Sequence, residues 1–222
     1  MSVHLQREID RLKKSLLSLC ALAEEQVQMA VRALLDRNAD TARQVEQRDQ
    51  EIDSREVEVE EDCLKILALH QPVAADLRFI VSALKINNDL ERIGDLAVNI
   101  ARKAITLASH PPIELPFDLA AMSEQTQSML RDSLDALVNL DIKQADDVCA
   151  RDSEVDRMKR EIRVWSEEAM RTQPEKVPAL LALLSATRNL ERIADHATNI
   201  AEDVIYMAAG KIVRHGMEEL SA

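Results

Sequence analysis

The chain has 222 residues, of which 46% are hydrophobic, 31% charged and only 2% aromatic, with three glycines. That apolar content excludes a disordered polymer, and so few aromatic residues and glycines exclude a β-sandwich or barrel; an excess of Ala, Leu, Glu, Arg and Gln is the composition of long helices. A formal charge of −12, from 28 basic and 40 acidic side chains spread over both halves, disfavours a phosphate-backbone binder, so no nucleic acid is expected as a partner.

The first helix is predicted over Leu5–Asp36 and is followed by Asn38 and Asp40, residues of the N-cap type. A second runs from about Ala39 to His70, where Gln71-Pro72 interrupts, and a third runs from there to about Ser109. The stretch SHPPIELPFD, residues 109–118, holds three of the six prolines and cannot continue a helix. Three more helices follow, broken at Asp141 and at Gln173-Pro174. Long helices joined by short turns predict antiparallel bundles. The expected division is a bundle over 1–110, a Pro-rich linker over 111–118, and a second bundle over 119–222.

The two halves are copies. NDLERIGDLAVNIA (88–101) and RNLERIADHATNIA (188–201) agree at nine of fourteen positions with an offset of 100. RDQEID (48–53) matches RDSEVD (151–156) at an offset of 103, and EQVQ (25–28) resembles EQTQ (124–127). The order of the matches is kept, which is the mark of an internal duplication. The third helices carry an apolar seam, Phe79, Ala83, Ile86, Leu90, Ile93, Ala97, Ile100, Ala104 and Leu107, repeated from Ala179 to Met207.

Cys20, Cys63 and Cys149 fit no zinc or redox spacing and read as inert thiols in a reducing compartment. MSVHLQREID is charged where a signal peptide needs an apolar run, and the longest apolar stretch, near 177–186, is too short to cross a bilayer. A cytoplasmic protein without membrane insertion is expected. His4, His70, His110 and His215 are scattered and read as solvated, and the single Trp165 as packed between helices.

The chemistry concentrates in repeated carboxylates. Glu91 and Asp95 share one helix face off the apolar seam, as do Glu191 and Asp195, with Asn88, Asn99 and Asn199 on the same polar stripe. Asp49 and Asp53, and again Asp152 and Asp156, are pairs on the preceding helix. Counted outwards from each proline turn, the two pairs of a copy fall at the same height of an antiparallel hairpin, so each bundle can gather four carboxylates. Asp49 also falls within the apolar seam of its helix, where an unpaired carboxylate is costly. Metal with oxygen ligands is one reading; a salt-bridge network with Arg48, Arg92, Arg151 and Arg192 is the other. No Glu-x-x-His, Gly-rich phosphate loop or nucleophile–base pairing occurs. Gly94, matched by Ala194, reads as a small residue for close helix approach. The run EVEVEED (56–62) reads as a solvated face, or as a docking surface for a basic partner.

Two three-helix copies, the Pro-rich mid-chain linker and the pair LERIGD…NIA and LERIADHATNIA resemble the PhoU family, the phosphate-transport accessory proteins of bacteria, over essentially the whole chain. The resemblance implies an all-α fold of two similar three-helix bundles and a regulator that is not an enzyme. It further implies repression of the phosphate-starvation response by linking the phosphate ABC transporter ATPase to a sensor histidine kinase, and restraint of phosphate uptake. It implies metal ions, with iron, zinc, magnesium and manganese among the family's metals, held by Asp49, Asp53, Glu91 and Asp95 and by Asp152, Asp156, Glu191 and Asp195. Leu96 stands where the second copy has His196, so an imidazole ligand would make the sites unequal. A homodimer is carried as an expectation, and a metalloenzyme or metal-storage bundle and a purely structural adaptor are the competing classes.

Overall fold

The structure is a computed structural model that describes residues 3–212; His215 lies outside the described residues. It consists of six helices: α1 (Val3–Leu35), α2 (Ala39–His70), α3 (Ala74–Ala108), α4 (Leu119–Asn139), α5 (Ile142–Thr172) and α6 (Val177–Ala209). A 3-10 turn over Pro174–Lys176 precedes α6, so α6 starts three residues later than the proline alone suggests.

The helix starts have local causes. The Asn38 side chain accepts from the backbone N–H of Asp40 and Thr41, both at 3.0 Å, which satisfies donors that α2 leaves orphaned. Asp118 caps α4 through Ala121 N at 3.0 Å, and Asp141 caps α5 through Gln144 N at 3.1 Å. At the far end, Gly210 takes a left-handed φ of 70° and its N–H returns to Tyr206 O at 2.9 Å, closing α6. The guanidinium of Arg37, in the α1–α2 turn, donates to the carbonyls of Leu107 and His110 and caps α3 from outside.

α1, α2 and α3 form one three-helix bundle, α4, α5 and α6 the other, and α3 lies along α6. The expected seam is buried in both copies except at Phe79, which is half-buried. Side chains off the seam are buried as well: Ile80, Leu96 and Ala101 on α3, and Leu180, Ala194 and Ala201 on α6. Each central helix therefore packs on two sides, against its own bundle and against its counterpart. At about 1.5–3 kcal/mol per buried Leu or Ile side chain, this apolar contact outweighs any helix-propensity term. Polar contacts cross the same interface: Lys85 Nζ lies 3.3 Å from buried Asp203 and 5.4 Å from the Tyr206 ring centre, and His196 Nδ1 lies 2.7 Å from Asp89.

The remaining expectations divide. Cys20 and Cys63 are buried and free, and burial pushes both thiols up to about 12, and the half-buried Cys149 to about 11, so none is a nucleophile at neutral pH. His4 is exposed, whereas His70 and His110 are half-buried, and His110 Nδ1 lies 2.8 Å from Thr106 O. Trp165 packs edge-on against Phe117 of the linker, with ring centres 5.4 Å apart, rather than between helices. A Cβ built on Gly94 would stand 3.1 Å from Ile52 Cδ1, which is the close approach of α3 to α2 that a small residue permits.

Replacing Gly94 by valine should cost roughly 1–3 kcal/mol by overpacking this contact. The urea midpoint of the variant, compared with wild type, reads the loss.

Candidate functional site

The register between α2 and α3 is set by contacts on either side of the carboxylates. Arg102 Nε donates to Glu46 Oε1 at 2.9 Å on one side, and Asn87 Nδ2 donates to Glu56 O at 3.0 Å and Oε1 at 2.9 Å on the other. Gly94 faces Ile52 between them. This register puts Asp53 level with Glu91 and Asp49 level with Asp95, which brings the charges of the four carboxylates within range of one another across one hairpin. In the second bundle Lys159 of α5 donates to Glu191 of α6, and Asp152, Asp156 and Asp195 surround that contact.

Burial and mutual repulsion act on these groups in the same direction. Partial burial pushes the Asp49 carboxyl above its usual range; a hydrogen bond from Gln26 Nε2, at 3.0 Å, opposes this, and the charges of Asp53 and Asp95 add to it. Glu91 is raised by burial and then by Asp95, with Arg92 opposing. Glu56 is raised by burial, Glu60 and Asp53. In the second copy burial, Asp156 and Glu191 raise Asp152. Asp195 is pushed up to about 6 by burial and then by Glu191 and Asp152. Burial is the larger cause in each case, and repulsion from neighbouring carboxylates adds to it.

Three residues that belong to the clusters were not among the expected ligands. Gln26, 5% exposed, comes from α1 and orients Asp49. Glu56, read from sequence as part of a solvated acidic run, is half-buried and turned towards α3 by Asn87. Lys159 lies among the second set, bonded to Glu191 and 3.3 Å from Asp156. Aligning the two copies at the offset of 103 would have exposed the last two, because Glu56 and Lys159 fall at the same position.

The arginines do not form one repeated network. Arg48 turns away from the carboxylates to α1, where it meets Glu25 at 2.8 Å and Met29 Sδ at 3.1 Å. Arg151 makes the matching reach to Ser128 at 3.1 Å and Asp132 at 2.5 Å on α4. These partners lie 23 and 19 residues back in both copies, so Glu25 corresponds to Ser128. The resemblance of EQVQ to EQTQ is thus displaced by four residues, one helical turn, from the structural equivalence. Arg92 stays beside its carboxylates, 3.3 Å from Glu91 and 3.5 Å from Asp95. His196 is turned to Asp89 across the bundle interface, not into the Asp195 cluster.

The donor set of the first cluster, carboxylate oxygens in excess of cations, suits a hard divalent or trivalent cation. Among the described residues no group of three or more His, Cys, Asp and Glu side chains is arranged to hold a metal ion as it stands. An ion there would draw the side chains in from their present positions. A groove of about 340 Å³ opens elsewhere, lined by residues such as Ile9, Leu16, Phe79, Leu137 and Met207, and it shares no residue with either cluster. Among the described residues no helix is long and apolar enough to cross a membrane.

The PhoU domain model matches twice, over residues 16–104 and 119–204. The chain belongs to the PhoU family. Its relatives include the phosphate-specific transport system accessory protein PhoU homologue of Pseudomonas putida, 37% identical over all of this chain and 88% of that one. The Pseudomonas aeruginosa homologue is 38% identical over 97% of this chain and 89% of that one. The crystal structure of PhoU from Pseudomonas aeruginosa superposes with a TM-score of 0.89 over 93% of this chain and 99% of that one, at 38% identity. The phosphate transport system regulatory protein PhoU from Streptococcus pneumoniae superposes at 0.83 with 28% identity, over 94% and 99% of the two chains. The PhoU family is one of accessory and regulatory proteins, not an enzyme family.

The raised carboxyls make a pH prediction. A carboxyl whose pKa is higher folded than unfolded binds its proton more tightly in the fold, so its contribution favours folding below its ordinary value of 3.8 and is lost as pH rises through about 6. Asp195 borders solvent, which limits the size of the effect. In chelator, Asp195→Asn should have a higher urea midpoint than wild type at pH 7, and the two midpoints should converge towards pH 4.

Proposed function

We propose that this protein is the accessory regulator of a phosphate-specific transport system. It holds the phosphate-starvation response off when phosphate is plentiful, and it does so in the cytoplasm, by docking on the transporter's ATPase and on a sensor histidine kinase and by restraining phosphate uptake. It turns over no substrate. One observation carries this reading: both PhoU domains are present, and relatives matching all or nearly all of the chain bear the name of phosphate-specific transport system accessory protein. Two bundles joined along α3 and α6 suit a scaffold that offers separate faces to two partners.

The carboxylates supply the second half of the proposal. Asp49, Asp53, Glu91 and Asp95, and Asp152, Asp156, Glu191 and Asp195, are assigned as the residues that would hold divalent or trivalent metal ions. A bound ion supplies positive charge that relieves their repulsion and orders the outer faces of α2, α3, α5 and α6. The support is the level register of each pair and the raised carboxyls of both copies.

The test is a phosphate-starvation reporter in a deletion strain grown in high phosphate. Loss of the gene should switch the reporter on, and wild type should silence it again; a reporter that stays silent without the gene would overturn the regulator reading. A folded Glu91→Ala/Asp95→Ala/Glu191→Ala/Asp195→Ala variant should fail to restore repression. Full repression by that variant would remove the carboxylates from the mechanism.

A further inference from the structure

The two carboxylate clusters, equivalent by descent, differ at one position in a way that decides their charge. At the offset of 103 that aligns Asp49 with Asp152 and Asp53 with Asp156, Glu56 of α2 is replaced by Lys159 of α5. The first cluster therefore comprises five carboxylates: Asp49, Asp53, Glu56, Glu91 and Asp95. The second has four carboxylates and an ammonium group.

The contacts use that difference. Lys159 donates to Glu191 across the hairpin and lies 3.3 Å from Asp156 on its own helix. Its side chain is 31% exposed and that of Glu191 13%, so the pair is largely withdrawn from water, where an ion pair is screened little. In the first bundle Asn87 holds Glu56 instead, through the backbone carbonyl and the carboxylate, and the residue matching Asn87 is Thr187, whose hydroxyl donates to Leu184 O within its own helix. The cation nearest to Glu91 and Asp95 is Arg92, with a side chain 57% exposed. An arginine at such exposure compensates Glu91 and Asp95 only weakly. The inversion extends along the helix: residues 56–62 carry five carboxylates and no basic group, whereas 159–165 carry three basic groups and one acidic.

We infer that Lys159 is a tethered counter-cation of the second bundle, so that only the first bundle takes up a free metal ion with useful affinity. This rests on the metal reading proposed above and narrows it. A metal entering the second cluster must displace an ammonium already bonded to Glu191 and Asp156, whereas one entering the first meets five carboxylates faced only by the exposed Arg92 and by Arg102 at longer range. The duplicated motif is therefore used once as a metal site and once as an internal salt bridge.

Manganese(II) alone is the probe, with bound metal counted by equilibrium dialysis and elemental analysis on the full chain, and folding checked by circular dichroism. Wild type should bind at a single class of site that Asp53→Asn/Glu91→Gln abolishes and Asp156→Asn/Glu191→Gln leaves intact. Lys159→Glu, which restores the residue of the first copy, should add a second site, and Glu56→Lys should remove the first. Two sites of equal affinity in wild type would overturn the inference. If wild type binds no manganese but Lys159→Glu does, the metal reading of the first cluster fails while the role of Lys159 stands. If neither binds, Lys159→Met in chelator decides: a lowered urea midpoint at pH 7 supports the tethered cation, and an unchanged one overturns it.

Discussion

The antiparallel register between the outer and the central helix of each bundle is the constraint on which the site depends. It is set by the tight turns at Gln71-Pro72 and at residues 173–176 and held by contacts far from those turns, Arg102 with Glu46 and Asn87 with Glu56 in the first copy. Four carboxylates that would repel one another in solution are level because the apolar seams on the inner faces leave the helices no other alignment.

The second consequence of burial is that α3 and α6 serve two interfaces at once. Their inner seams complete the bundles, and their remaining small and apolar residues join the bundles to each other. This explains why the repeated motif LERI(G/A)D is so restricted in size: Gly94 allows Ile52 to approach, and Ala194 is fully buried in the corresponding place. The same helices display the carboxylates on the only face left to them. Apolar and small residues thus lie inside along a single helix, with Glu91, Asp95, Glu191 and Asp195 outside.

Duplication created two equal hairpins, and later changes made them unequal. The arginine reach from α2 to α1 was kept as the reach from α5 to α4, yet its acceptors changed from Glu25 and Met29 to Ser128 and Asp132. Leu96 became the counterpart of His196, which now pairs with Asp89 across the interface. Glu56 became the counterpart of Lys159.

Sequence alone determined the helical class, the six elements and their breaks, and the duplication. These follow from period, proline and cap residues and spacing, which are local properties of the chain. Only the tertiary structure decided which neighbours each carboxylate meets. Gln26 reaches Asp49 from a helix whose register with α2 no local rule sets, and Lys159 enters its cluster because a long flexible side chain can cross a hairpin in one copy as Glu56, held by Asn87, does not in the other. The displaced match of EQVQ to EQTQ has the same cause: identity along a chain ranks residues by type, whereas helix packing ranks them by turn. Which side of α3 meets α6 was also beyond the seam pattern, because a helix buried on two sides carries small residues, such as Ala101 and Ala201, whose partners only packing reveals.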